Sequence, residues 1–254
     1  MNEIVRQFVF TPAAGKRLIA KSILLLPDIR AALQDNTVVI IAGVTNGYVA
    51  EEVLRSLGQL SGFSRERFFR GVTFPPNYPA SREKGQFPGD VVIEKGIWLK
   101  GKTIFDAVDG LKKGDIIIKG ANALNLEKKQ AGILIGDPKA GTIGVSLQAA
   151  FGRRVALYIP VGLEKRIPGD IDQIAKTLAA TNASGPRLLP ATGNVITELD
   201  AVKTLTGADA IMSAAGGVGG AEGSYWLAVC GTEEQLDKFE EIYGSLKNEE
   251  NFTI

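Results

Sequence analysis

Apolar residues occur in short, uninterrupted runs, and each run is followed by glycine or by polar residues. The runs at 116–118, 133–135 and 155–159 are too short and too rich in β-branched residues to be helices. Continuous apolar runs of this length are typical of strands that are buried on both faces of a parallel sheet. We therefore predict that residues 114–166 supply three strands of one parallel sheet.

Predicted helices alternate with predicted strands along nearly the whole chain. Capping residues mark several helix starts, as where Thr11 precedes Pro12 and where Thr232 lies three residues before Gln235. The predicted helices cover residues 12–26, 27–33, a segment from 48 onward, 103–113, 145–151, 168–181, 195–205 and a last amphipathic segment from 232. Further strands are predicted at 37–42, 70–74, 91–94, 97–100, 188–189, 208–214 and 224–230, with a solvated helix face at 65–70 and a proline-rich loop at 75–90.

This alternation predicts an α/β fold. We expect a doubly wound, mostly parallel sheet with helices on both faces, in a Rossmann-like three-layer arrangement. The chain has 254 residues, which is an ordinary length for one α/β domain. The simplest division is a single domain over residues 1–254. The alternative is that residues 186–254 form a small α+β lobe at the C-terminus.

Two glycine-containing segments, 43–47 and 136–144, connect a predicted strand to a predicted helix. Free N–H groups and the helix dipole meet at such a junction, so it favours anions. The candidate ligand-binding residues here are Gly43, Thr45, Asn46, Gly47, Lys139, Gly141, Thr142 and Gly144. The alternative is structural: small residues for close packing in the second segment, and a plain turn with Asn46 capping the next helix in the first. The second segment lacks the P-loop lysine, which disfavours an NTPase, and the first lacks the dinucleotide G-x-G-x-x-G spacing, which disfavours NAD binding.

Polar residues follow the ends of the three central strands. Lys119 and Asn122 come after the first strand, Asp137 after the second, and Glu164 and Lys165 after the third. Ligands in open α/β sheets bind outside the carboxyl ends of strands, so we expect these side chains to converge. Asp137 or Glu164 is the candidate base, and Lys119 or Lys165 the cation that stabilises developing negative charge. Taken singly, each is better explained as a solvated loop charge, and only their convergence favours a site. The ligand-binding candidates at these ends are Gly120, Asn122 and Lys165.

Composition narrows the chemistry. The chain has 29 basic and 28 acidic residues, a net charge of +1, and we expect neither nucleic-acid nor membrane binding. Histidine is absent, which leaves Asp, Glu, Lys or Tyr for acid–base chemistry and argues against a metal site. A single cysteine, Cys230, and no visible signal peptide predict a cytoplasmic location, and no cofactor is expected.

The order of motifs resembles a known superfamily. DxxxKGAN at 115–122 is followed by AGxLIG at 131–136, by Gly141-Thr142 before a helix, and by a strand that ends in Pro160 a few residues before Lys165. This pattern is similar to the sugar-phosphate isomerase, initiation-factor-2B-like and CoA-transferase-like superfamily. The resemblance covers residues 35–60 and 114–166. It implies a Rossmann-like fold with phosphate-binding loops.

The resemblance implies a metal-independent isomerase or transferase that acts on a small phosphorylated or carboxylated metabolite. We also expect a homo-oligomer, a dimer. Asn122 stands where members of the superfamily often have aspartate, and it cannot act as a general base. The sequence has no evident counterpart to the catalytic cysteine of the methylthioribose-phosphate isomerase branch. It also has no counterpart to the active-site histidine of the sugar-phosphate deaminase branch. A non-catalytic ligand-binding or regulatory protein that retains the fold is therefore the alternative.

Overall fold

Residues 4–78 and 87–252 are described by the computed structural model, and they form a mixed α/β structure. The strands are β1 (Ile4–Phe10), β2 (Thr37–Ile40), β3 (Val91–Glu94), β4 (Ile97–Trp98), β5 (Ile116–Ile118), β6 (Ala123–Asn125), β7 (Gln130–Ile135), β8 (Ala156–Pro160), β9 (Arg187–Ala191), β10 (Asn194–Ile196), β11 (Asp209–Ala215) and β12 (Tyr225–Gly231). The helices are α1 (Pro12–Ile23), α2 (Pro27–Asp35), α3 (Val44–Ser56), α4 (Ile104–Ala107), α5 (Gly141–Arg153), α6 (Ile171–Leu178), α7 (Glu198–Thr206) and α8 (Glu233–Leu246). Within these described ranges, no helix is long and apolar enough to cross a membrane.

A six-stranded mixed sheet lies at the centre, in the order β10-β8-β5-β2-β3-β4. β10, β8, β5 and β2 are parallel, whereas β3 is antiparallel to β2 and forms a hairpin with β4. In the register, Val39 pairs with Ile117, and Ile117 pairs with Leu157. The predicted α/β class and the buried strands at 116–118 and 155–159 are confirmed. The doubly wound arrangement stays a prediction.

Two three-stranded antiparallel sheets flank the central sheet, and their orders are β1-β12-β11 and β6-β7-β9. The prediction that 133–135 belongs to the parallel sheet is therefore wrong. Those residues lie in β7, which pairs antiparallel with β6 and β9. The connection from Asn125 to Gln130 is too short for a parallel crossover, so β6 and β7 can only form a hairpin. The apolar run indicated burial but not the pairing partner.

Several helix boundaries differ from the sequence prediction because a different residue caps the helix. α3 begins at Val44 with Gly43 as its cap, so Asn46 lies inside the first turn. α6 begins at Ile171 and not at Pro168, because the Asp170 side chain accepts from the N–H of Gln173.

Two further segments were assigned the wrong structure. The predicted helix at 195–205 begins as strand β10, and α7 follows it with a capping box between Thr197 and Asp200. Residues 70–74 form no strand, and they run irregularly past the end of the central sheet. Within the predicted loop at 75–90, residues 79–86 lie outside the described residues.

Both faces of the central sheet are covered by apolar side chains. Val39, Ile117 and Leu157 face a cluster that includes α5, β7 and the β1-β12-β11 sheet. The alternate residues, such as Val38 and Ile116, face a second cluster with α2 and α3. This two-sided burial explains the continuous apolar runs. Because β2, β5 and β8 are parallel neighbours, their carboxyl ends lie together at one edge of the sheet.

Candidate functional site

A cavity of about 330 Å³ lies where the carboxyl ends of β2, β5 and β8 meet. We call it the strand-end cleft. Its lining is Lys16, Ala42, Gly43, Val44, Thr45, Arg70, Gly71, Val72, Thr73, Lys119, Gly120, Ala121, Asn122, Glu164 and Lys165. Seven of the predicted site residues are therefore in one cavity: Gly43, Thr45, Lys119, Gly120, Asn122, Glu164 and Lys165. Its volume is at the lower end of the range of small-molecule sites.

Four cationic side chains among the described residues line this cleft, and three of them have a partner. Lys16 Nζ from α1 lies 2.6 Å from Glu164 Oε1, and Lys165 Nζ donates to the carbonyl oxygen of Ala121 at 2.8 Å. Arg70 pairs at 2.5 Å with the fully buried carboxylate of Asp90. The fourth cation, Lys119, has neither a hydrogen bond nor an ion pair from its Nζ to any described residue.

The environment of Lys119 disfavours its charged form. Burial lowers the pKa of Lys119 from 10.5 to about 8, Lys165 and Arg70 act in the same direction, and Asp90 opposes them. Burial also lowers the pKa of Lys165, against the attraction of Glu164. Lys119 therefore has an appreciable neutral fraction near neutral pH.

Glu164 is held in its ionised form. Burial alone would raise the pKa of this carboxyl group, but the charges of Lys16 and Lys165 and the hydrogen bond from Lys16 outweigh it, so the pKa is lowered. Glu164 Oε1 accepts from Lys16, whereas the buried Oε2 has no hydrogen-bond partner among the described residues. An ionised carboxylate thus lies at the wall of the cleft, and its unpartnered oxygen is packed beside Gly162.

The N-terminus of α3 forms another wall. The N–H groups of Val44 and Thr45 precede the first hydrogen bond of the helix, which joins Gly47 N to Gly43 O at 2.8 Å. Thr45 is 2 % exposed, and its Oγ1 has no hydrogen-bond partner in the described chain. A Cβ on Gly43 would have no atom within 4 Å, so this cap residue borders open space. The helix dipole and the free N–H groups favour an anion here.

Asn46 and Gly47 are not part of the cleft lining. The Asn46 amide nitrogen donates to the carbonyl oxygens of Ile41 at 2.7 Å and Ile118 at 3.0 Å, so it ties the end of β2 to that of β5. Gly47 packs against Arg65, whose Cγ would lie 3.0 Å from an added Cβ. Both residues shape the first glycine segment rather than border the cavity.

A second cavity of about 300 Å³, here called the side pocket, shares five lining residues with the strand-end cleft: Ala42, Arg70, Gly71, Lys119 and Asn122. Asp137, Gly141 and Thr142 line it at the N-terminus of α5. The exposed Asp137 carboxylate accepts from the Lys139 N–H at 2.7 Å, which closes the turn before the helix. The two glycine segments therefore border two neighbouring cavities that share lining residues.

Lys139 and Gly144 lie outside both linings. The Lys139 side chain is exposed. Gly144 lets the turn pack against α5, because an added Cβ would lie 2.9 Å from the Lys139 carbonyl oxygen. Gly144 therefore fits the alternative explanation of the second glycine segment, in which a small residue permits close packing and binds no ligand.

Asn122 borders both cavities and also holds the neighbouring hairpin. Its Oδ1 accepts from the Leu134 N–H at 3.0 Å, and its backbone N–H donates to Gly132 O at 2.8 Å. The amide NH₂ of Asn122 has no hydrogen-bond partner in the described chain. It is thereby left as a donor beside Lys119.

A buried polar group positions the segment that carries Glu164 and Lys165. Glu198 is fully buried; its Oε2 accepts from the Leu163 N–H at 2.9 Å, and its Oε1 accepts from the Tyr225 hydroxyl at 2.7 Å. Burial, with a contribution from the charge of Glu164, raises the pKa of Glu198 to about 7. Burial also raises the pKa of Tyr225.

Sequence reasoning missed Lys16, Arg70 and Asp90. Lys16 lies in the middle of α1, where its spacing resembles that of any polar helix residue. Arg70 was included in a solvated helix face at 65–70, an interpretation that is wrong because Phe68 and Phe69 are buried. No local signal marked Asp90, which accepts from the N–H groups of Ala42 at 2.9 Å and Ile104 at 2.8 Å.

No protein-family model matches the sequence, and no curated protein and no solved structure is significantly similar to the chain. The resemblance to the sugar-phosphate isomerase and CoA-transferase-like superfamily stays a prediction from short motifs. The described residues contain no group of three or more Cys, Asp or Glu that could hold a metal ion. The chemistry of the cleft is therefore inferred from its own side chains.

Proposed function

We propose that this protein is an enzyme that binds a small phosphorylated or carboxylated metabolite in the strand-end cleft and transforms it by proton transfer. An isomerase or transferase of the sugar-phosphate isomerase and CoA-transferase-like type fits this chemistry. The observation that carries the proposal is the collection of Lys16, Arg70, Lys119 and Lys165 around the N-terminus of α3.

The charges in this cleft favour an anionic ligand. Two carboxylates, Glu164 and Asp90, pair with Lys16 and Arg70, and no carboxylate within residues 4–78 and 87–252 is paired with Lys119 or Lys165. The free N–H groups of α3 and the unpartnered Thr45 hydroxyl add hydrogen-bond donors. A phosphate or carboxylate would satisfy these groups together, because its oxygens accept several charge-assisted hydrogen bonds.

The same cleft contains a base next to its cations. Glu164 is ionised and lines the cleft, so it is the candidate base that accepts a proton from a carbon next to a carbonyl group. Such a step places negative charge on the carbonyl oxygen, and Lys165 is the cation at hand to stabilise it. Asp137, whose carboxylate closes the turn before α5, is less suited to this role.

Replacement of Gly43 by aspartate tests the anion site. An aspartate at this helix cap has space, an extended backbone with φ of 175°, and a favourable interaction with the helix N-terminus. We therefore expect Gly43→Asp to keep or raise the melting temperature. The new carboxylate lies where the ligand anion is proposed to bind, so we expect it to reduce affinity at least about tenfold. Gly43→Asn is the matched control, because it is a neutral cap of the same shape.

Thermal-shift measurements with inorganic phosphate, sugar phosphates, nucleotides and acyl-CoAs provide the readout. Metabolites that raise the melting temperature are then incubated with the enzyme in D₂O, and exchange of a carbon-bound proton is followed by NMR. A shift with wild type and Gly43→Asn, lost in Gly43→Asp, supports the site. Shifts that are equal in all three proteins would contradict it. Binding without exchange would favour the non-catalytic alternative.

A further inference from the structure

Lys119 is placed unlike the other cations of the cleft. We infer that Lys119 is an amine nucleophile and that the metabolite carries an aldehyde or ketone group with which it forms an imine. The inference rests on the proposed function, because the anionic group of the metabolite must direct its carbonyl carbon to this side chain. It adds to that function a class of substrate and a covalent step.

The position of Lys119 suits an attacking group. Its backbone N–H donates to Tyr158 O at 2.9 Å, which continues the pairing of β5 with β8 and fixes the start of the side chain. Lys119 lines both the strand-end cleft and the side pocket. A ligand in either cavity therefore lies next to Lys119.

Comparison with the neighbouring lysines distinguishes a reactive amine from a structural one. Lys16 is held by Glu164, and Lys165 by the carbonyl oxygen of Ala121. Lys119 has no such partner within the described residues. It faces the charges of Arg70 and Lys165, and Asp90 is occupied by Arg70 and by two backbone N–H groups. A lysine beside other cations and partly removed from water is readily deprotonated, and the neutral amine is the nucleophile.

The covalent step is balanced by one proton from Lys165 or from solvent. The lone pair of the Lys119 amine attacks the carbonyl carbon, and the carbonyl oxygen takes up a proton to give a carbinolamine. The C–O bond then breaks, and the oxygen leaves as water with one hydrogen from the amine and one from the added proton. The product is a protonated imine. It withdraws electrons from the adjacent carbon while Glu164 removes a proton from that carbon.

Pyridoxal 5′-phosphate is a suitable probe, because it combines an aldehyde with a phosphate. The protein is incubated with this aldehyde, treated with borohydride to reduce any imine, and mapped by mass spectrometry of its peptides. Pyridoxal, which lacks the phosphate, is the matched control reagent. Lys119→Arg keeps the charge but removes the nucleophile, and Lys113→Arg changes an exposed lysine outside the cleft.

We expect Lys119 to be the main site of labelling, at a rate at least about tenfold higher with pyridoxal 5′-phosphate than with pyridoxal. Inorganic phosphate should slow the reaction. Lys119→Arg should lose this adduct, and Lys113→Arg should retain it. Adducts spread over exposed lysines, with Lys119 no more reactive than Lys113, would overturn the inference.

The outcomes separate this inference from the proposed function. A thermal shift with phosphate that is lost in Gly43→Asp, without an adduct at Lys119, would overturn the imine and leave the anion site supported. Equal labelling of Lys119 by both aldehydes, without protection by phosphate, would support the reactive amine but contradict the anion site. Because the labelling of Lys119 by the two aldehydes is compared in the wild-type protein, the test of the imine does not depend on the folding of a variant.

Discussion

Lys119 is a side chain whose placement opposes folding. An exposed lysine keeps its charge in water, whereas Lys119 is partly removed from water beside Arg70 and Lys165, with no partner in the described chain. Its pKa is therefore lower in the folded state than in the unfolded state. Below about pH 8 the folded protein must hold this charge at a cost in free energy. Such a cost at one residue is typical of a functional site.

Lys119→Met should therefore stabilise the protein. At pH 7 we expect the free energy of unfolding to rise by roughly 1–3 kcal/mol, because the charge at an unfavourable site is replaced by an apolar side chain. Between pH 8 and 10 the wild-type chain binds more protons when unfolded than when folded, so its stability rises and the advantage of the variant shrinks. Urea unfolding of wild type and variant at pH 7 and at pH 10 measures the difference in stability, with Lys113→Met as the exposed control. An advantage that is unchanged or larger at pH 10 would contradict the assigned pKa direction.

The contact of α1 with α7 and β12 is the element-scale feature that supports the site. Gly15 of α1 lies against the hydroxyl of Tyr225 and the carboxylate of Glu198, where an added Cβ would be 1.9 Å and 2.6 Å away. This close approach brings Lys16 to Glu164, and Glu198 holds the N–H of Leu163 just before Glu164. Both partners of the Lys16–Glu164 ion pair are thus positioned through one buried polar contact.

Gly15→Ala should destabilise the protein by roughly 2–4 kcal/mol, because the added methyl group cannot fit against the Tyr225 hydroxyl. Tyr225→Phe alone should cost roughly 1–3 kcal/mol, since it leaves a buried oxygen of Glu198 without its donor. The double variant should lose about 1 kcal/mol less than the sum, because phenylalanine removes the hydroxyl from the clash. Urea denaturation of the four proteins tests this. Strict additivity would mean that Gly15 and Tyr225 do not interact.

At the scale of the whole molecule, the end of the chain is tied to its beginning. Glu249, just after α8, accepts from Arg17 of α1 at 2.9 and 3.0 Å and from Arg65 at 2.6 Å. The two guanidinium groups also lie over the ring of Tyr48 in α3, at 4.9 and 4.3 Å from its centroid. The side chains are 8–16 % exposed, so this is a largely buried ion-pair network. It holds together the two helices that border the strand-end cleft.

Glu249→Gln should lower the free energy of unfolding by roughly 1–3 kcal/mol at pH 7, because both arginines lose their shared carboxylate. Burial raises the pKa of Glu249, but the bonds from Arg17 and Arg65 outweigh burial and lower it below 4.5. The stabilisation by Glu249 is therefore fully present above about pH 4.5, and it is lost as the pH falls through the lowered pKa of the folded state. Urea unfolding at pH 7 and in acid measures the difference, with exposed Glu250→Gln as the control. An equal effect of both substitutions would contradict the network.

The sequence by itself determined the elements whose signals are local. Short apolar runs marked β5 and β8, and a capping box marked α8, because burial and caps depend on neighbouring residues. The rule that ligands bind at the carboxyl ends of strands then singled out Lys119, Glu164 and Lys165, which the structure brings into one cavity.

Only the tertiary structure decided which groups pair and which remain free. Lys16 and Glu164 are 148 positions apart, and Arg70 meets Asp90 across a loop, so no local pattern announced either ion pair. For the same reason the run at 133–135 indicated a buried strand but not its antiparallel partners. The lack of a partner for Lys119 is a property of the assembled cleft, because it depends on three chain segments that are distant in sequence and adjacent in space.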